Sequence, residues 1–394
     1  MGRISRVSLL LGAAAGVSLS FGTSGGATPP PLSAYVPVFT YLPPSGIGTD
    51  AQFASGLATS STGTTIFLTT SSGGLYRFSA GGANLKVLRN PSNSTPRFYG
   101  VALSKSEAMT YVASQTTTPN VYAIGTSGTP AGLTVPEASI QNSFAYGIGI
   151  APDGSHLALA VGGAIQVIPT TLGAPKTISL QRGTSSLSVS YAPSGTSLFF
   201  TNGYDTISRV GTDGLGQRPI ASVLGQPDLG SIDRLARLYV GTVATSTPGT
   251  GQLLRLNADG TGRTQLATGF DEIHDPVVDA TGSVTFLGTT DSTIQSVPNV
   301  ITINRLVLRN LAPTGLHVTS VSRGAVTLAW TRSTTASVSF TVTSTSGVPK
   351  SCVTTALSCT VTSLTHGRAT RFVATASNGF QVSPNSTVTP LVTP

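Results

Sequence analysis

The sequence predicts an all-β chain built from repeats, and three observations carry that expectation. Composition comes first: of 394 residues, 45 are Gly, 25 are Pro and only 9% are charged. Ser and Thr supply most of the polarity, which suits short strands and tight turns better than helices. Second, an apolar-x-x-apolar strand recurs as LYRF at 75, VYAI at 121, IQVI at 165, ISRV at 207, LLRL at 253 and IQSV at 294, in steps of 46, 44, 42, 46 and 41 residues. Third, two further strand-like series precede it. One is TIFL at 65, TYVA at 110, LALA at 157, LFFT at 198, LYVG at 238 and VTFL at 284; the earlier one is GLA at 56, GVAL at 100, GIGI at 147, LSVS at 187, RLAR at 234 and PVVD at 276. A period of about 44 residues holding three or four strands points to radial repetition, because each sheet leaves a face that only the next copy can bury. Six copies predict a six-bladed β-propeller.

Taken from the start of the chain, residues 1–27 show a basic opening (Arg3, Arg6), an apolar run VSLLLGAAAGVSLSFG and small residues SGGA before TPPP. This is the three-part layout of a secretory signal peptide, with cleavage expected near Ala27 and an exported, extracellular product. The run is too short and too rich in Gly and Ser for a membrane span, and no span is expected in the mature chain. The propeller is assigned to residues 28–309. Its closure needs one sheet with strands from both ends, and YVPVFTYL (35–42) and ITINRLVL (301–308) are both strand-like. Either could supply the missing outer strand.

Within each unit the connections carry turn chemistry. APDG (151–154), APSG (192–195) and ATG (280–282) join the first two strands, while TDGLG (212–216) and ADGTG (258–262) join the last two. Pro sets φ and Gly supplies φ > 0 in such turns. The glycine-rich Asp259-Gly260-Thr261-Gly262 recurs one unit earlier and leads into a strand, so it reads as a turn; a phosphate loop would open a helix. Asp213 and Asp259 are expected to bond their own turn backbones. The stretch LLRLNADGTGRTQLATGFDEIHDPVVDATGSVTF (253–286) resembles a repeat of the TolB-like and YWTD-type six-bladed propellers, in which a strand, an N-x-D-G-x-G turn and a second strand lead to a D-P segment. The likeness is close there, fair over 147–221 and weak in the first two units, where Ser106 and Glu107 replace the Pro-Asp-Gly turn. It implies a protein that acts by binding partners, without specifying which.

A second domain is assigned to residues 310–394. APTGLHVTSVSRGAVTLAWTRS, with a buried-type Trp330, continues into SFTVTSTSG, SCTVTSLTHG and RFVATASNGFQVSPNSTV. This resembles a fibronectin type III domain over residues 311–390, with one departure: Thr370 stands at the tyrosine-corner position, so that corner hydrogen bond should be missing. Both cysteines, Cys352 and Cys359, fall here, and an even pair in an exported chain predicts a disulfide. The spacing is not C-x-x-C, and no further Cys could complete a metal site.

Catalytic groups are scarce, and no catalytic residue or cofactor is assigned. The one G-x-S-x-G match, Gly22 to Gly26, lies in the signal peptide. The formal charge is +8 but no basic cluster appears, which argues against nucleic acid. His274 stands apart from the other histidines, in GFDEIHDP beside Asp271, Glu272 and Asp275, on an expected loop between neighbouring blades. These four could hold a cation or act as an acid/base group; the competing reading is a solvated loop, since the inner strands GLA, GVAL, GIGI and LSVS carry no carboxylates. Asp205, Asp228 and Asp233 are the residues that could complete the group. Aromatic side chains give a binding argument, because flat rings stack on sugars or pack against peptides. Phe53, Phe98 and Phe144 each precede a glycine and read as packing, whereas Tyr99, Tyr146, Tyr204 and Phe270 are the candidate ligand contacts. The expected function is that of a secreted, monomeric, non-catalytic binding or scaffold protein whose propeller face recognises an extracellular protein or a cell-wall or other polysaccharide. The alternative is an extracellular hydrolase or lyase, or an accessory of polysaccharide degradation, with a loop metal site.

Overall fold

The computed structural model describes residues 35–41, 43–47, 54–91, 97–115, 120–127, 145–171, 173–181, 186–202, 204–244, 247–290, 300–308, 311–333, 339–377 and 382–394. The signal-like segment 1–27, Phe53, Phe144 and the IQSV run at 294 lie outside the described residues. The described chain is almost entirely antiparallel β-structure, and no described helix is long and apolar enough to cross a membrane. The first strands of successive runs are Ala54–Thr59, Arg97–Leu103, Ala145–Ile150, Val189–Tyr191, Gln226–Ile232 and Glu272–Val278. Each heads an up-and-down meander, and the last two meanders are joined into one eight-stranded sheet through the Val243–Glu272 pair.

These first strands lie against one another in order, and the strand at 272–278 returns to lie against the one at 54–59. Their backbones approach so closely that side chains must be small. A Cβ on Gly56 would meet the Tyr99 carbonyl oxygen at 2.0 Å, and one on Gly230 would meet that of Pro276 at 1.9 Å. The same crowding, with Ser188 Cα 2.6 Å from a Cβ on Gly147, is the physical reason for glycine in GLA and GIGI. The hydrophobic cores sit between neighbouring sheets, as where Tyr111, Ala113 and Val121 of one meander pack on Leu157, Leu159 and Ile168 of the next.

The turn that follows each first strand repeats its hydrogen bonds. Ser60, Ser104, Ala151, Ala192, Asp233 and Asp279 each accept from the backbone N–H three residues on, and each donates its own N–H across the hairpin. The turn at the opposite corner also recurs: Asp213 Oδ1 accepts from Leu215 N, and Asp259 Oδ1 accepts from Thr261 N and Thr261 Oγ1, at 2.7–2.9 Å. Gly214 and Gly260 sit at φ 94° and 85°. The DGTG stretch is a strand connection.

Two expectations are corrected here. RLAR at 234 is no first strand; it spans the turn after Gln226–Ile232, because Asp233 Oδ1 accepts from Leu235 N and Arg237 N and so ties the chain into a hairpin. The last meander takes both terminal candidates instead of one. Val284–Thr290 pairs with Val300–Leu308, which pairs in turn with Tyr35–Tyr41. The strand at 300–308 is therefore third in its sheet, a place the sequence reading gave to IQSV.

The closing strand is held by side chains as well. Tyr35 OH bonds Tyr239 OH at 3.0 Å and donates to the Gly282 carbonyl at 3.1 Å. Tyr239 OH donates to Asp233 Oδ2 at 3.0 Å, where Arg237 Nε also donates at 2.7 Å. Nearby, Arg305 pairs with Asp279 and donates to the Gly63 carbonyl, tying the last meander to the first.

Residues 311–394 form a separate sandwich core. One sheet contains Thr314–Ser322, Ala325–Thr331 and Ser358–Val361; the other contains Ser351–Thr354, Ser339–Ser344 and Phe372–Ser377. Burial alternates residue by residue along Ala325–Thr331, Ser339–Ser344 and Phe372–Ser377, and Trp330, Phe340 and Phe372 meet in the middle. Cys352 and Cys359 are disulfide-bonded and join a strand of one sheet to a strand of the other. The last segment runs along Phe372–Ser377 with a period of three: Ser383, Ser386 and Thr389 are buried while the residues between them are exposed. Each of these three donates its N–H to a carbonyl of Ala376, Ala374 or Phe372, and its hydroxyl accepts the N–H of that same residue. Thr370 exchanges backbone hydrogen bonds with Val392.

Candidate functional site

The first strands begin around the mouth of a cavity of about 450 Å³. Its polar wall comes from two adjacent strands. Gln226–Ile232 contributes Asp228, and Glu272–Val278 contributes Glu272, His274 and Asp275. Glu272 and His274 are two apart on a strand and so share a face; His274 Nε2 lies 3.0 Å from Glu272 Oε2. The pairing register then slips between His274 and Val277, with Asp275 at φ 46°. This bulge re-aims the chain and sets both His274 Nδ1 and the Asp275 backbone N–H on Asp228 Oδ2, at 3.2 and 3.0 Å.

The electrostatics follow from that arrangement. Burial works to lower the His274 pKa, but the hydrogen bonds and charges of Asp228 and Glu272 outweigh it and raise it to about 10. The ring is then an imidazolium donating from both nitrogens, with 35% of its side chain still open to the cavity. The hydrogen bond from His274 holds the Glu272 carboxyl below its ordinary range, against the opposing effect of burial. Asp275 moves the other way: burial first, and the charge of Asp228 second, raise it well above the ordinary carboxylate range. The mouth thus combines the carboxyl groups of Asp228 and Glu272, a cation held between them and a third carboxyl, that of Asp275, raised above the ordinary range.

Several expected residues are placed differently. His274, Glu272 and Asp275 belong to a first strand at the mouth and not to a loop, and the first strands do carry carboxylates, contrary to the expectation from GLA and its relatives. Asp271 does not join them: it is buried, and its Oδ1 accepts from Gly249 N at 2.7 Å. Asp233 lies in the Tyr239 network, and Asp205 accepts from its neighbour Thr206 Oγ1. Among the described residues, no three His, Cys, Asp or Glu are arranged to hold a metal ion. An imidazolium bonded at both nitrogens also has no lone pair to offer one.

Of the aromatic candidates, Tyr99 lines the mouth. Tyr146 falls in the strand Ala145–Ile150, but its side chain lies outside the described residues. Tyr204 is 77% exposed, on a turn held by Asn202 Oδ1, and does not line the cavity. Phe270 packs edge-on against Phe286 at 5.4 Å between centroids and belongs to the core. Phe98 is fully buried beside Tyr122, as its place before a glycine suggests.

Beyond the mouth a second cavity of about 520 Å³ continues along the first strands. The two share Gly147 and Asp275 in their walls. Half-buried aliphatic residues such as Ile148, Ile150, Ile232 and Val277 line it, and Arg234 stands among the turn residues of its wall.

No protein-family model matches the chain, and no curated protein matches it in sequence. Among solved structures, it is similar to a provisionally assigned TolB of Agrobacterium tumefaciens at TM-score 0.46 and 15% identity, covering 56% of this chain and 82% of that one. It is also similar to a protein of unknown function from Bacteroides thetaiotaomicron at TM-score 0.51 and 11% identity, covering 65% of this chain and 69% of that one. The second likeness is one of fold alone.

Proposed function

We propose that this is an exported, non-catalytic binding protein: a six-bladed β-propeller over residues 28–309 that recognises an extracellular protein or polysaccharide at its channel mouth, followed by a fibronectin type III-like domain. One observation carries the reading. The mouth gathers charged, aromatic and small side chains from several strands, with Tyr99, Asp228, Glu272 and His274 converging on about 450 Å³; concave sites with a few convergent polar groups are where ligands bind. The closed cycle of first strands supports the six-blade count, and the two-sheet core with Trp330 supports the second assignment. A disulfide and the lack of a membrane-crossing helix among the described residues are compatible with an extracellular location.

The test is capture from cell-wall material and extracellular polysaccharides by the purified chain, with Tyr99→Ala and Glu272→Gln as mouth variants and Tyr204→Ala as a surface control. Loss in the mouth variants with retention in the control is expected. Equal capture by all four proteins would overturn the reading. A second reading, a hydrolase or lyase, has one observation in its favour: burial and the charge of the neighbouring Asp228 raise the Asp275 carboxyl well above the ordinary carboxylate range, the kind of shift acid/base chemistry uses. Turnover of a captured polymer that is lost in Asp275→Asn, with capture kept, would establish it.

A further inference from the structure

The acids of this chain are few, 14 in all against 22 Lys and Arg, and most described ones have a partner of their own. Glu107 accepts from Ser61 N, Asp153 from Ser155, Asp213 and Asp259 from their turns, Asp271 from Gly249 N, and Asp233 and Asp279 from arginines. Three carboxyl groups, those of Asp228, Glu272 and Asp275, instead share one cavity with a single imidazole, and no Lys or Arg appears among its described lining residues. With Asp228 and Glu272 charged and His274 protonated, the mouth carries one net negative charge. It disfavours anions and favours an added cation.

Two polar groups along the same path have no hydrogen-bond partner among the described residues. Burial and charge act on the Asp275 carboxyl, but no hydrogen bond does. Tyr191, 6% exposed and in the wall of the deeper cavity, has a hydroxyl with no partner among the described residues. The wall of that deeper cavity is mostly apolar, with Thr59, Ser188, Ser190, Ser231 and Arg234 interspersed, and it meets the mouth at Asp275. An acidic opening over an apolar bore is complementary to a ligand with a cationic head and an apolar tail. A fully hydrated ion would leave the bore unfilled, and a fatty acid would bring its charge against like charge.

We propose that the mouth and bore together bind a primary ammonium group carried on an unbranched apolar chain, with the head against Asp228 and Glu272 beside Tyr99 and the chain along the half-buried wall residues Ile148, Ile150, Ile232 and Val277. This rests on the reading of the mouth as the recognition site and names its ligand chemistry.

Calorimetric titration of the full chain at constant ionic strength with n-octylammonium, n-butylammonium and n-octanoate tests it. Octylammonium is expected to bind at least tenfold more tightly than octanoate. Shortening the chain by four methylenes should weaken binding by up to on the order of a hundredfold if the bore is used. Asp228→Asn combined with Glu272→Gln should bring octylammonium to the level of octanoate. If that variant does not fold, the three-ligand series on the unaltered protein decides alone. Equal affinity for octylammonium and octanoate, or for octyl and butyl chains, overturns the proposal. If mouth variants still lose capture of a wall polymer while alkylammonium shows no preference, only the ligand class falls. If capture ignores the mouth variants as well, the reading of the mouth falls with it.

Discussion

His274 is protonated because two carboxylates accept from its ring, and this has a pH signature. Its folded pKa of about 10 lies above the ordinary 6.5, so its contribution to stability is complete below the lower value and is lost as pH rises through the upper one. The melting temperature of the natural protein should therefore exceed that of His274→Gln by more at pH 6 than at pH 10. A gap that does not change with pH would show that the ring is not held as an imidazolium by Asp228 and Glu272, with Asp275 alongside. At this scale the sequence was informative only locally. Glu272, His274 and Asp275 are legible as a group because they are contiguous. Asp228 is legible only as one of three acids that could complete the group, since 46 residues separate it from His274 and only the adjacency of two first strands singles it out from Asp205 and Asp233. Asp271 sits beside Glu272 in sequence but points to the Gly249 loop instead, because neighbouring positions at the start of a strand need not share a face.

Among the elements, the hairpins were the most legible and the irregular strands the least. The D-G turns recur with the same hydrogen bonds at 213 and 259 because Asx side chains and glycine at positive φ encode the geometry locally. RLAR misleads since its apolar spacing mimics a strand, while Asp233 immediately before it closes the turn. The final segment of the sandwich escapes a period-two reading altogether, because its buried positions recur every third residue. Its hydroxyls stand in for the carbonyls of a missing strand, which gives a prediction. Ser386→Ala leaves the buried Ala374 N–H without its acceptor and should cost about 1–3 kcal/mol, while Thr387→Ala, on the exposed side, should stay within about 0.5 kcal/mol; urea midpoints distinguish them. In the same domain, replacing Cys352 and Cys359 together by Ser opens a link of sequence separation 7. The chain-entropy account puts that at about 2–3 kcal/mol, to be read as a lower melting transition of the sandwich.

For the whole molecule, the repeat was legible from spacing, and the manner of closure was not. Tyr35–Tyr41 and Val300–Leu308 look alike as strands, and which one lies outermost depends on pairing across the entire first domain. The side chains that hold this closure make it testable. Asp233→Ala removes the acceptor of Arg237 and Tyr239 and of two backbone N–H groups, taking the ion pair from a largely buried guanidinium. We expect a loss of about 3–5 kcal/mol. Tyr35→Phe removes only one hydroxyl from the same network and should cost about 1 kcal/mol. Denaturant unfolding of both variants checks the order, and equal losses would mean that Asp233 does not anchor the network.

The pairing of Tyr35–Tyr41 with a strand near residue 300 also sets a clock. The hydroxyls of Tyr35 and Tyr239 meet across 204 positions of chain, and a contact that distant forms only after a large loop has closed. During synthesis, the segment Tyr35–Tyr41 must wait, unpaired, until the strand Val300–Leu308 has emerged. An open sheet edge is a surface on which other chains can pair. Yield of this protein should therefore depend on concentration during refolding more than its final stability would suggest, and a short synthetic copy of residues 35–41 added in excess should compete for the vacant edge.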